Sequence, residues 1–326
     1  MRKGYEWIAC VAAAVAIAVA AVSMCSRECS GSAVDGGVEG TGGVAGALSG
    51  DDGRRGLAER LERIVAEYPG EIGVAVIFDS ADTVAVNDVA KYPMMSVFKL
   101  HQTVALCADF DRRGVSPDTV LTIRRYELDP DTWSPMLREH TEKEFALPVR
   151  ELMRYTLTQS DNNASNLMFR RLLGVGATDR FIATLIPRER FRIAWTEADM
   201  KADHRKAYVN ATSPRGAAAL IDRLFTDSLM GADLQRFLQN TLSECRTGTD
   251  RIAAPLLDKQ GVTVAHKTGS GYSEGGVLAA QNDVAYVTLP DGHHYALAVF
   301  VKDFRGSEAE ASAAIARISQ TVYESL

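Results

Sequence analysis

Three short clusters in this chain carry side chains able to perform acyl transfer. Ser96-Val97-Phe98-Lys99 places a hydroxyl and an amine three residues apart, on one face of a helix. A serine hydroxyl is a weak nucleophile until a neighbouring base takes its proton. A lysine whose pKa is depressed by burial and nearby positive charge can be that base. The helix N-terminus adds backbone N–H groups near Ser96, suited to holding an oxyanion. Ser160-Asp161-Asn162 comes 64 residues later. There Ser160 can relay a proton to a leaving nitrogen, the Asn162 amide can grip a carbonyl, and Asp161 can fasten the loop. Lys267-Thr268-Gly269 follows after a further 107 residues. Lys267 can attract a carboxylate, Thr268 can hydrogen-bond to it, and Gly269 leaves room for a ligand against the strand. Singly, each cluster has an ordinary reading: an N-cap serine with a surface lysine, a polar turn, a strand end. Few arrangements besides a serine acyltransferase site explain all three together.

In this order the clusters match the Ser-x-x-Lys, Ser-Asp-Asn and Lys-Thr-Gly set of penicillin-recognising serine enzymes. From residue 57 to the C-terminus the chain resembles a class A β-lactamase. The resemblance implies hydrolysis of the β-lactam amide of penicillins and cephalosporins through an acyl-enzyme on Ser96, hence antibiotic resistance. It assigns Ser96, Lys99, Ser160 and Glu197 as catalytic, with Asn162, Lys267, Thr268, Gly269, Ser270 and Trp133 binding substrate. The Ser270 amide would complete the oxyanion hole. Trp133, within Asp131-Thr132-Trp133-Ser134-Pro135, would form an aromatic wall beside the cleft. An acyl-enzyme needs a base to activate water. In class A enzymes a loop glutamate supplies it, which maps to Glu197 within Trp195-Thr196-Glu197-Ala198-Asp199-Met200. That stretch and Thr212-Ser213-Pro214-Arg215-Gly216 are similar to an extended-spectrum branch of class A. Thr247-Gly248-Thr249-Asp250-Arg251 matches the connection back to the sheet, where structural roles are expected.

One position departs from the pattern. Four residues after the glutamate the family places Asn, or His in that branch, to help hold the water; here it is Lys201. Its ammonium either pairs with Glu197 and lowers its basicity, or points away to solvent. Two rival readings therefore stay open. A D-alanyl-D-alanine carboxypeptidase shares the three clusters but normally lacks the deacylating glutamate. A non-hydrolytic penicillin-binding lipoprotein or sensor would remain acylated.

These residues must be positioned by recognisable elements. Residues 57–68 carry apolar side chains at helical spacing and end at Pro69-Gly70. Residues 72–78 and 83–86 read as strands, as do 262–266, 277–280, 284–289 and 295–301. Asp291-Gly292 marks a hairpin. Residues 96–255 are mostly helical in pattern, and 308–323 close the chain as a helix. The expected fold is α/β of the α+β kind: one antiparallel sheet built from both termini with flanking helices, and an inserted all-helical lobe. A site would form in the cleft between them.

The chain has 326 residues, 36 Lys and Arg against 42 Asp and Glu, and a net charge of −6. That balance, without a basic block, argues against nucleic acid as a partner. Arg2 and Lys3 precede an apolar run over 8–22, shorter than the roughly 20 residues of a membrane-spanning helix, so residues 1–24 are expected to be a signal peptide directing the chain to the periplasm. Val22-Ser23-Met24-Cys25 resembles a lipobox, implying a lipidated Cys25 and membrane attachment, although Met24 replaces the usual small residue; cleavage after Ala20 or Ala21 is the competing reading. Residues 25–56, with ten glycines between Ser26 and Gly56, read as a flexible linker, leaving 57–326 as the catalytic domain. Cys107 and Cys245 are expected to be free thiols. The six histidines show no HxH or HExxH spacing, so neither a metal nor another cofactor is expected. The substrate is a small molecule and the enzyme is expected to be a monomer.

Overall fold

Strands from opposite ends of the chain form one antiparallel sheet in the computed structural model, which describes residues 50–88 and 92–326. Its order is Asp82–Val86, Glu71–Phe78, His294–Phe304, Val277–Thr288, Thr263–Ser270, with Ser273–Glu274 paired beside Val277. Val74 lies opposite Val299 and Glu71 opposite Lys302. Successive side chains of a strand face opposite sides, and here both sides are covered. Val74, Val76, Leu297 and Val299 pack with Leu57, Leu61, Ile315 and Ile318 of the helices Asp51–Ala66 and Glu308–Tyr323. Ala75, Ile77, Ala298 and Phe300 pack with Leu220, Ile221 and Leu224 of the helix Pro214–Thr226, and so join the larger core.

The lobe between the sheet's two contributions is built around the helix Phe98–Arg113. Every residue from Phe98 to Phe110 is buried. A helix buried on every side belongs at the centre of its layer. Its first residue, Phe98, stacks on Phe169 with ring centroids 5.9 Å apart. Helices Val149–Thr158 and Asn162–Arg171 pack beside it and carry the Ser160 loop between them. The expected helices are joined by two short sheets. Val120–Arg124 pairs with Glu144–Pro148, and Tyr92–Pro93, Ala211–Thr212 and Phe191–Arg192 form a second ladder. Strands this short show too few alternations to stand out from flanking helical pattern.

Three boundaries differ from the sequence expectation. The first helix begins at Asp51, inside the segment read as linker, with Asp51 and Asp52 favourably placed at its positive end. The segments 277–280 and 284–289 are one strand, Val277–Thr288. Gln281, Asn282 and Asp283, which separate the two expected segments, are all buried and bonded, to Ser312, to the Pro93 and Met94 carbonyls, and to His266. Finally, Lys267-Thr268-Gly269 lies within the strand Thr263–Ser270 instead of at its end. Cys107 and Cys245 are free thiols. The signal-peptide and lipobox readings, and the linker as far as residue 49, lie outside the described residues. No helix among the described residues is long and apolar enough to cross a membrane.

Candidate active site

Ser96 sits in a single 3-10 turn, Met95–Val97, that runs directly into the Phe98–Arg113 helix. Met95 holds a left-handed φ of 45°, a strained conformation for a side chain of its size. The surroundings enforce it. Asn282 donates to the carbonyls of Pro93 and Met94 at 2.8 and 3.2 Å, fixing the turn to the central sheet. Gly269 faces the same turn, where a Cβ would lie 2.5 Å from the Met94 carbonyl oxygen and 3.2 Å from the Ser96 nitrogen. The space Gly269 leaves is therefore taken by the turn carrying Ser96, and not by ligand: its smallness brings the strand against Ser96.

Lys99, completely buried, joins the clusters. Its ammonium donates to the Ser96 hydroxyl at 3.0 Å, the Ser160 backbone carbonyl at 2.8 Å and the Asn162 side-chain oxygen at 2.6 Å. It also pairs with Glu197 Oε1 at 2.8 Å. Ser96 Oγ donates to the same carboxylate oxygen at 2.9 Å. The hydroxyl thus lies between an amine and a carboxylate, the geometry for removing its proton. Glu197 opens the helix Glu197–Ala202, whose start is locked by a reciprocal cap between Thr196 and Asp199. Just before it, the Asn210 side chain accepts from the Ala194 and Trp195 nitrogens and donates to the Trp195 carbonyl.

Ser160 also has a left-handed φ, 58°, and is followed by Asp161, which caps the helix Asn162–Arg171. Burial pushes the Asp161 carboxyl above its usual range, against bonds from Ala164, Met136 and Ser134 that favour its charge. Opposite, Lys267 donates to Ser160 Oγ at 3.1 Å. Burial, reinforced by the charge of Lys99, pushes the Lys267 ammonium down to about 7. Ser160 Oγ, 3.4 Å from Lys99 and 3.1 Å from Lys267, is a bridge between two amines along which a proton can pass.

A cleft of about 290 Å³ opens over this network, lined by Ser96, Trp133, Asn162, Glu197, Ser270 and Tyr272 among others. Trp133 is 52% exposed at its rim. Its indole donates to the Gln159 carbonyl at 2.8 Å and carries the Arg138 guanidinium 4.5 Å from the ring centre. Asn162 donates to Thr132 Oγ1 at 2.9 Å. Lys201 takes the second of the two expected courses: it points away from Glu197 to the surface, where its ammonium pairs with Asp129 at 2.6 Å and holds the Asp129 carboxyl below its usual range. A larger hollow, about 650 Å³, lies by Glu62, Tyr68 and Tyr92 and holds none of these groups.

Sequence reasoning gave the 247–251 connection only structural weight, yet it reaches the site. Thr247 Oγ1 is 2.5 Å from Thr268 Oγ1. Gly248, at φ 61°, is pressed so close to Thr268 that a Cβ would lie 2.5 Å from its methyl. Arg251 is buried and donates to Ser270 Oγ at 2.6 Å and to the carbonyls of Gly269 and Asn282. The signal in the sequence is the resemblance of Thr247 to Arg251 to the family's connection, which by itself implies only structural roles.

The sequence and the fold have counterparts among known proteins. The model of the beta-lactamase enzyme family matches residues 56–326. A beta-lactamase of Phocaeicola vulgatus is 60% identical over 271 residues, 83% of this chain and 84% of the relative. The crystal structure of the TLA-3 extended-spectrum beta-lactamase matches with a TM-score of 0.80 at 30% identity, over 83% of this chain and 98% of that one. A class A beta-lactamase from Bacteroides cellulosilyticus DSM 14838 matches with a TM-score of 0.79 at 27% identity, over 84% of this chain and 98% of that one.

Proposed function

The chain belongs to the beta-lactamase enzyme family, and from that premise we propose how its own residues carry out the reaction. It is a class A serine β-lactamase that hydrolyses the β-lactam amide and thereby confers antibiotic resistance. Ser96 Oγ is the nucleophile. Its proton passes to Glu197 or to Lys99, both within hydrogen-bond reach. As the tetrahedral adduct collapses, the lactam C–N bond breaks and Ser160 passes a proton to the nitrogen, replenished from Lys99 or Lys267. The backbone N–H groups of Ser96 and Ser270 hold the oxyanion; losing one such donor typically costs roughly 10²–10³ in rate. Glu197 then activates water to release the acyl group. Lys267 and Thr268 receive the substrate carboxylate, Asn162 its amide carbonyl, and Trp133 walls the cleft. Gly269 serves by bringing the strand close to Ser96.

The observation that carries this scheme is the position of Ser96 Oγ, 3.0 Å from the Lys99 ammonium and 2.9 Å from the Glu197 carboxylate. With Glu197 in contact with the nucleophile and Lys201 drawn to Asp129, nothing favours a permanently acylated sensor. The test is hydrolysis of a chromogenic cephalosporin with intact mass followed during turnover. Ser96→Ala should take no covalent label, whereas Glu197→Gln should acylate and release slowly, accumulating the adduct. Turnover by Glu197→Gln at the parent rate would overturn the role of Glu197.

The same proposal includes export through residues 1–24, lipidation at Cys25, a glycine-rich tether reaching the first helix, and a monomeric enzyme. Its support is the Arg2-Lys3 start, the apolar run that follows, and the placing of Cys25 after Val22-Ser23-Met24. Metabolic labelling with a fatty acid should mark the parent and spare Cys25→Ser, and sedimentation of the catalytic domain should give the mass of one chain.

A further inference from the structure

The loop that carries Glu197 leaves and returns to the same place. Asn210, at its far end, bonds the main chain of Trp195 at both its nitrogen and its carbonyl. Those bonds fix the backbone but not the ring. The Trp195 indole packs against the larger core, yet its N–H is buried and meets no acceptor among the described residues. A buried indole usually finds such a partner, as Trp133 does in Gln159. What faces the Trp195 ring is a cation. The Lys206 ammonium stands 4.3 Å from its centre, within the range over which a cation is drawn to an aromatic face. The same ammonium lies 3.8 Å from Asp199 Oδ1. Asp199 in turn accepts from the Thr196 nitrogen and hydroxyl to start the helix Glu197–Ala202. Trp195 and Asp199 stand two residues either side of Glu197, so one side chain touches both flanks of the turn that bears the carboxylate.

Lys206 is itself held by its own backbone. It lies in the 3-10 helix His204–Tyr208, and its carbonyl accepts from the Val209 and Asn210 nitrogens at 3.0 and 3.3 Å. Its side chain does not line the cleft. We infer that Lys206 is a positioning residue for deacylation: its ammonium, seated on Trp195 and beside Asp199, holds Glu197 where it can activate water. The inference rests on the reading of Glu197 as the base that releases the acyl group. An indole face is electron-rich and the Asp199 carboxylate is anionic, so both attract the one ammonium. Without it the ring loses its cover, and the turn between Trp195 and Asp199 is free to shift. Acylation tolerates that shift, because Lys99 still reaches the Ser96 hydroxyl at 3.0 Å. Deacylation does not, because Glu197 alone activates the water.

The test follows formation and decay of the acyl-enzyme by intact mass in the full chain, with a chromogenic cephalosporin for turnover. In Lys206→Ala the adduct should form near the parent rate and decay about tenfold more slowly, an effect within reach of a desolvated cation–π contact. kcat and KM should fall together and leave kcat/KM near the parent value, because that ratio contains no deacylation step. Lys206→Arg, whose guanidinium also seats on an aromatic face, should restore the decay. Trp195→Leu should reproduce the slow decay, and adding Lys206→Ala to it should slow decay no further, as expected of two residues that act through one contact. Lower thermal stability in Lys206→Ala with decay at the parent rate would make the lysine merely structural and overturn the inference. Equal slowing of acylation and decay, or an arginine variant as slow as the alanine one, would also overturn it. The parent and Glu197→Gln are the controls. A parent without turnover, or Glu197→Gln as fast as the parent, would overturn the reading of Glu197 and this inference with it. Controls that behave as expected beside Lys206→Ala decaying at the parent rate would overturn this inference alone.

Discussion

Two residues at the site carry charge in ways that make distinct demands on experiment. Lys267 is held down to about 7 by burial and by Lys99, so its cationic form predominates only below neutrality. A carboxylate-bearing substrate needs that cation, so kcat/KM should fall as pH rises through about 7, since this ratio reports groups of the free enzyme. Lys267→Arg, whose guanidinium keeps its proton, should shift the alkaline fall upward; an unshifted profile would assign the fall to another group. Linkage gives the matching sign for stability. Between about 7 and the ordinary lysine value, 10.5, the unfolded chain holds a proton that the folded chain lacks. This group therefore weighs against the fold below about pH 7, and the weight lifts as pH rises through that window. Lys201 makes the opposite demand. Paired with Asp129 at the surface, it should be dispensable: Lys201→Ala should leave deacylation unchanged and alter stability by no more than about 1 kcal/mol. A slowed deacylation, seen as accumulated acyl-enzyme, would show that its ammonium acts on Glu197 after all.

Elements explain why the clusters were legible and their supports were not. Ser96, Ser160 and Lys267 could be read because each stands in a short run whose residue types suit one chemistry. Glu197 lacks such a run and came from family resemblance, and the fold brings it to 2.9 Å from Ser96. What escaped was long-range. Asn282, which steadies the Ser96 turn, is one amide among three polar residues that looked like the end of a strand. Arg251 could not be told from a surface arginine until its carbonyl partners were known. Gly269 was noticed for a different reason from the one the structure supplies. Gly269→Ala should drive a Cβ into the Met94 carbonyl and displace the nucleophile. The expected cost is about 1–3 kcal/mol of stability, as for overpacking elsewhere, with a fall in acylation rate. Thermal denaturation and burst kinetics would read the two effects separately. An alanine variant with unchanged acylation would show that the strand and turn can part without consequence.

At the scale of the molecule, the site is divided between the helical lobe and the sheet. The lobe supplies Ser96, Lys99, Ser160, Asn162 and Glu197, and the sheet supplies Lys267 to Ser270. The outer core, where Leu61 and Ile315 meet the far face of the sheet, includes none of these groups. Leu61→Ala should therefore cost roughly 2–5 kcal/mol in denaturant unfolding while leaving kcat near the parent value. A proportionate loss of kcat would mean that the outer helices govern the cleft. The pairing of Glu71–Phe78 with His294–Phe304 also orders events in time. The strand has its central partner 231 residues further along the chain, where Lys302 faces Glu71, so a ribosome must add all of these before that sheet can close. Contacts of such long sequence separation are slow to form. Until they do, the strand Glu71–Phe78, apolar on both faces, has only the short hairpin strand Asp82–Val86 to cover it and offers a natural hold for chaperones.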